Sequence, residues 1–252
     1  MRSWVMACLT GGLLAGRVAA LEYRVDLIQL DPWAFANDAA TICKGNPETA
    51  AGAPIAGIIA DLLAEFERRS GHITNKTLTP YLRVELDLEK GNTDFTIMAW
   101  AERRAVFASK GVTIVPLDFG VRARKGVSIK SYGDLKGITT SATRGLHIDA
   151  RFDADNTLRK DMVVDYSTGV RKTAANHGSQ AVAGSLAAIN YIIKKMHLQD
   201  QFGDTLVLGT VQLTVAFSKK SPLLGTEEGV NAVFRAMVDD GTAAKIVDKW
   251  LK

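Results

Sequence analysis

An α/β fold with parallel strand pairing is predicted by three features of the sequence. A period-two segment is followed by a helix of period 3.6 and then by a second short apolar segment, the same theme restarts beyond residue 130, and the C-terminal end carries two amphipathic helices separated by a glycine. Strand, helix and strand in that order imply parallel pairing through a right-handed crossover.

The first residues stand apart from that pattern. Arg2 precedes a largely apolar stretch from Trp4 to Ala15, and Val18-Ala19-Ala20 offers small or β-branched residues for a peptidase. This is the layout of a signal peptide at 1–20 with cleavage before Leu21, and its apolar core is too short for a stable membrane span. Val5-Met6-Ala7-Cys8 superficially resembles a lipoprotein box, but the residues ahead of Cys8 contain no adequate apolar core. Export predicts a periplasmic location.

Along the remaining chain, Tyr23 to Leu30 alternates as a strand and empties into Asp31-Pro32-Trp33-Ala34-Phe35, an aromatic loop. Ile55, Ile58, Ile59, Leu62, Leu63 and Phe66 then mark a helix that begins at Pro54 and stops at Gly71. Leu82 to Leu88 is followed by a glycine turn at Gly91 and a short apolar strand ending at Met98. Apolar patches at Val112–Val115 and Phe119–Val121 precede a strand over Ile138–Ser141, and Thr143-Arg144-Gly145 reads as a helix start. Helices follow over Ser167–Asn176 and Ser185–Met196. Val230, Val233, Phe234 and Met237 form a helical face stopped at Gly241, and Thr242 is read as the cap of a last helix with Ile246, Val247 and Trp250.

Composition narrows the function. The chain has 252 residues, 47% hydrophobic and 23% charged, which is globular rather than disordered material. Its formal charge of +4 falls to +2 once Arg2 and Arg17 leave with the signal peptide, giving no reason to expect nucleic acid or an anionic membrane. Only Cys43 would then remain of the two cysteines, so neither an internal disulfide nor a cysteine metal site is expected. His72, His147, His177 and His197 have no metal-ligand spacing. Asp149, Asp153 and Asp155 lack the glycine of a calcium loop. Nucleophile elbows, phosphate loops and dinucleotide fingerprints are absent from the sequence. Neither a catalytic centre nor a cofactor or metal is therefore expected.

The residues left over suit gripping a ligand. Trp33, Phe35 and Trp100 fall at the ends of predicted strands, where open α/β sheets place their crevices. Arg103 or Arg104 could pair bidentately with a carboxylate, only one of the two facing a cleft because neighbours on a turn diverge. Thr143, Arg144 and exposed backbone N–H groups near Gly145 favour an anion.

Taken together, these segments resemble the family 3 extracellular solute-binding proteins, receptors of polar amino-acid ABC importers. Asp31-Pro32-Trp33-Ala34-Phe35 is similar to the family's first ligand loop, and Pro54 through Gly71 to its first helix. Lys90-Gly91-Asn92-Thr93-Asp94 resembles its "G-x-x-D" turn. Glu102-Arg103-Arg104 resembles its carboxylate-binding "E-R" pair, and Asp134-Leu135-Lys136-Gly137 its "D-L-x-G" entry to the second lobe. Phe217 to Leu223 and the Asp240–Trp250 region resemble the returning strand and last helices. The resemblance implies the periplasmic binding protein-like II fold, two lobes with a hinge and a cleft. Lobe one would be 21–115 plus 212–252 and lobe two 116–211, with crossings near Pro116–Phe119 and Thr210–Leu213. It also implies a monomer that captures a small polar or carboxylate-bearing ligand and delivers it to a membrane permease. One departure bears on that ligand: Ala187 in Gly184-Ser185-Leu186-Ala187-Ala188 replaces the aspartate that in the family pairs with the ligand's α-amino group, which argues against a standard α-amino acid. A periplasmic enzyme like cyclohexadienyl dehydratase and a sensor module for a membrane kinase are the competing expectations.

Overall fold

The computed structural model describes residues 19–37 and 54–252; residues 1–18, including Cys8 and most of the expected signal peptide, and Cys43 lie outside the described residues. β1 (Glu22–Ile28) forms because Tyr23, Val25 and Leu27 all point to one buried face. The chain then makes β2 (Phe35–Ala36), paired antiparallel with β3 (Ile55–Ala56). α1 (Ile58–Ser70) buries Ile58, Ile59, Leu62, Leu63 and Phe66, the stripe expected from their spacing. The next strand, β4 (Ile73–Thr79), has no counterpart in the sequence reading. It is an edge strand whose buried positions are Thr74 and Thr79, so it lacks the apolar alternation that announces a strand.

α2 (Tyr81–Lys90) leads into β5 (Phe95–Ala99), which is buried along almost its whole length. The two apolar patches beyond it belong to a single strand, β6 (Ala108–Arg124). Then come β7 (Thr139–Thr143), the short α3 (Ala150–Ala154), β8 (Arg159–Val163), α4 (Tyr166–Ala174), β9 (Ala181–Ser185) and α5 (Leu186–Lys195). The long β10 (Phe202–Ser218), α6 (Glu227–Asp239) and α7 (Thr242–Leu251) complete the chain. Two local readings are corrected. Thr143-Arg144-Gly145 makes a turn, not a helix start, with Gly145 at a positive φ and the next helix beginning only at Ala150. Thr242 is the first residue of α7 and not its cap, because its hydroxyl accepts from Arg69 Nη2 at 2.9 Å.

The main sheet runs β4-β1-β5-β10-β6-β9-β7-β8. β1 pairs in parallel with β4 and β5, and β7 pairs in parallel with β8 and β9. These two parallel groups attach to opposite ends of one antiparallel ribbon. β5 joins β10 along Leu213–Phe217, whereas β9 joins β6 along Phe119–Ala123. Between those attachments the ribbon crosses with β6 paired only to β10, and Thr210 Oγ1 donates to Asp118 at 2.7 Å there. Register shifts along β10 bend the ribbon on both sides of the crossing. The architecture is therefore two α/β lobes joined by two strands.

Asp26 of β1 is half-buried beneath α2, where loss of hydration and then the Asp87 carboxylate push its carboxyl up to about 6, with Arg83 opposing. A proton held to about 6 in the fold but released near 3.8 in the open chain weakens the fold above pH 6, and that weakening disappears as the pH falls towards 4. Asp26→Asn should accordingly gain on the order of 1–2 kcal/mol at pH 8 and nothing at pH 4, read from urea midpoints at the two pH values. Equal gains at both would show that Asp26 is ordinarily ionised.

Candidate functional site

The parallel strands of both lobes direct their C-terminal ends towards one cavity of about 70 Å³. From the first lobe it is lined by Ile28 and Leu30 at the end of β1, Trp33, Ile59, Tyr81, the β5 residues Ile97, Met98 and Ala99, and Leu213. From the ribbon and second lobe come Leu117, Phe119, Leu146, His147, Tyr166 and Ser185. Crevices at strand C-termini are the ordinary binding positions of open α/β sheets.

Trp33 is held in the wall by the start of α1. Ile58 N–H donates to the Pro32 carbonyl at 2.9 Å and Ile59 N–H to the Trp33 carbonyl at 2.8 Å, so the aromatic loop satisfies two donors that a helix start otherwise leaves open. This close approach requires Gly57: a Cβ there would stand 2.6 Å from the Trp33 oxygen, and its φ of 121° is one that side chains avoid.

Of the seven residues expected to bind ligand, Trp33 alone lines the cavity. Phe35 packs edge-on against Trp250 at 5.7 Å, under the Lys195 ammonium. Trp100 is buried with Met98 and Val84, and its indole N–H donates to Glu102 at 2.8 Å. Thr143 is buried at the end of β7, and Arg144 is exposed.

The arginine pair divides as expected into one inner and one outer residue, but both guanidiniums bind the protein's own carboxylate. Arg103, 48% exposed, donates to both oxygens of Glu85 at 2.7 and 3.0 Å. Arg104, 3% exposed, donates from Nε to Glu85 at 2.6 Å, from Nη1 to the Ala99 carbonyl at 2.7 Å, and from Nη2 to the Tyr81 hydroxyl. Burial alone would raise the Glu85 carboxyl, yet the Arg104 charge and the bonds from both arginines outweigh it and hold it below its ordinary range. Tyr81 in turn donates to Glu85 at 3.2 Å, so its hydroxyl is committed behind the wall. The first-lobe side of the cavity is consequently apolar.

The polar groups belong to the second lobe. The Tyr166 hydroxyl accepts from Ser185 N–H at 3.0 Å, and burial pushes its phenol up to about 12, so it keeps its proton. Ser185 Oγ is buried without a partner among the described residues. His147 sits at the rim with Nδ1 3.5 Å from Asp153. The sequence reading missed Tyr81, Tyr166 and Ser185 as wall residues. Tyr166 directly precedes the predicted 167–176 helix, and Ser185 is the first residue of the predicted 185–196 helix. The three aspartates weighed as a calcium loop serve locally: Asp149 caps α3, Asp153 accepts from Ile148 N–H, and Asp155 from Thr157.

No family model matches the sequence, and no curated protein matches it. Solved structures do. An arginine-binding protein (P235GK mutant) from T. maritima superposes with a TM-score of 0.72 at 18% identity, over 91% of this chain and 94% of that one. A histidine kinase sensor domain similar to periplasmic binding proteins gives 0.71 at 15%, over 92% and 96%. An ancestral amino-acid-binding protein described as a precursor of cyclohexadienyl dehydratase gives 0.70 at 17%, over 92% and 95%. At these identities the likeness establishes architecture: the chain has the periplasmic binding protein-like II fold, two lobes with a hinge and a cleft between them.

Proposed function

We propose that the protein is a periplasmic solute receptor that closes its two lobes on a small ligand and hands it to the membrane permease of an ABC importer. The observation that carries this reading is the cavity itself, walled by both lobes at the C-terminal ends of their strands and spanned by a two-strand ribbon suited to hinge closure. In this reading 1–20 is removed, lobe one is 21–115 with 212–252, lobe two is 116–211, and the receptor acts as a monomer. A ligand carboxylate would not meet a free Arg103 or Arg104, because both guanidiniums are already paired with Glu85.

A second reading has a specific observation behind it. His147, at the cavity rim with Nδ1 3.5 Å from Asp153, is a group that could move a proton, as a dehydratase would need. Among the described residues the wall offers only tyrosines as further acid or base groups beside it, which supports binding without turnover as the first reading. A sensor feeding a membrane kinase would use the same wall.

The discriminating experiment is a thermal-shift screen of small metabolites on the chain beginning at Leu21, with mass spectrometry of the hits. A ligand at a hundredfold excess over its Kd should stabilise the fold by about 2.7 kcal/mol and be recovered unchanged. Consumption of the hit at catalytic rates would transfer the assignment to the enzyme reading. A screen without a stabilising compound would remove the receptor reading.

A further inference from the structure

The cavity has a polar end and an apolar end, and they belong to different lobes. Facing each other across it are the first-lobe wall, whose Tyr81 hydroxyl is spent on Arg104 and Glu85, and the end of β9, where Ser185 begins α5. Ser185 is 2% exposed, its Oγ has no partner among the described residues, and its side chain makes no capping bond to the helix it precedes. The first turn of α5, ten residues long, therefore keeps its N–H groups uncapped by Ser185 beside an idle hydroxyl. Tyr166 adds to this. Its oxygen is already occupied as an acceptor by Ser185 N–H, and among the described residues its proton has no acceptor. Ser185, with an unpartnered hydroxyl, and Tyr166, with a proton still to donate, both line the cavity, α5 starts directly after Ser185, and the described lining residues include no carboxylate.

Burying these groups unpaired is costly, whereas an acceptor supplied by a ligand would satisfy them together. An ammonium at the same place would meet the positive end of the helix dipole and no carboxylate of the described lining residues. We propose that Ser185, Tyr166 and the first turn of α5 form an acceptor subsite, which receives the carbonyl or carboxylate oxygen of a ligand with a short apolar body and no cationic amine. The body lies against Trp33, Ile97 and the Tyr81 ring. This deepens the receptor reading and rests on it.

Three small probes of one shape test the idea: isobutyrate, isobutyramide and isobutylamine, titrated by calorimetry or ligand-observed NMR. The acid and the amide separate the two sources of the same oxygen, and at least one of them should bind while the amine does not. Ser185→Ala and Tyr166→Phe should each weaken that binding roughly tenfold. Arg103→Ala should leave it unchanged. Because Tyr166→Phe also releases a backbone N–H, its melting temperature is measured alongside; Ser185→Ala carries no such risk and suffices alone. Binding of isobutylamine, or of valine with unaltered affinity in Ser185→Ala, would overturn the subsite while leaving the receptor reading in place. If the three probes and a panel of zwitterionic amino acids all fail to bind, subsite and receptor reading fall together.

Discussion

Arg104→Ala is expected to cost about 3–5 kcal/mol of folding stability, while Arg103→Ala one residue away costs well under about 1 kcal/mol. The difference follows from burial. Arg104 is 3% exposed and its guanidinium donates to the Glu85 carboxylate, the Ala99 carbonyl and the Tyr81 hydroxyl; the variant takes one bond from each and leaves Glu85 only half-exposed Arg103 as its cationic partner. Arg103 is 48% exposed, so water replaces what its removal takes away from Glu85. Urea denaturation of the two variants should separate them by a large shift in midpoint at similar slope. The cost is the penalty of orphaning buried groups rather than the net worth of the ion pair. For that reason the double variant Glu85→Leu with Arg104→Met should recover to within about 1–2 kcal/mol of the parent. Glu85 also sets a pH dependence. Its carboxyl is held below the ordinary 4.5 in the fold, so its contribution is complete above 4.5 and is lost as the pH falls through the lower folded value. If Arg104→Ala keeps the parent midpoint and instead loses ligand affinity, Arg104 is a free ligand anchor and the Glu85 contact is incidental.

The arginine pair also shows what a sequence can and cannot disclose. That one of two adjacent arginines faces inward is legible, because side chains on a short turn diverge. What it meets inside is not legible, because Glu85 comes from α2, 19 residues earlier, and no local pattern announces so distant a partner. The helices behave like the first observation. Apolar spacing predicts α1, α6 and α7 within a few residues, since burial of one stripe decides them locally, and the helices expected over 167–176 and 185–196 are found as α4 and α5. β4 and the joined β6 fall to the opposite case. The edge strand β4 buries threonines, and β6 changes lobe midway, so its apolar patches face different cores and read as two fragments. The cavity follows the same division. Trp33 was predictable from its place after a strand, but Tyr166 and Ser185 acquire their meaning only where β9 and α4 meet.

That meeting depends on Gly184, and Gly184→Ala should destabilise the protein by about 3–5 kcal/mol and abolish ligand binding together. A Cβ at this position would lie 2.3 Å from both Cε1 and the hydroxyl of Tyr166 and 2.4 Å from Cζ. No real contact is so short, and the ring cannot swing aside because Tyr166 is fully buried between α4 and β9. The backbone adds a second cost, since φ is 152° and a side chain resists that conformation. Either β9 must retreat, opening its pairing with β6 at Gly120, or the phenol must leave Ser185 N–H. Both routes move the donor that faces the cavity. The two costs can be separated by adding Tyr166→Leu, which removes the ring that the new methyl strikes but leaves the backbone strain. Measured against Tyr166→Leu alone, Gly184→Ala should then cost only about 1–3 kcal/mol. An unchanged cost in that background would place the whole effect in the backbone. A Gly184→Ala protein as stable as the parent would mean that Tyr166 does not lie across β9 and that its hydroxyl is not held at the mouth of α5.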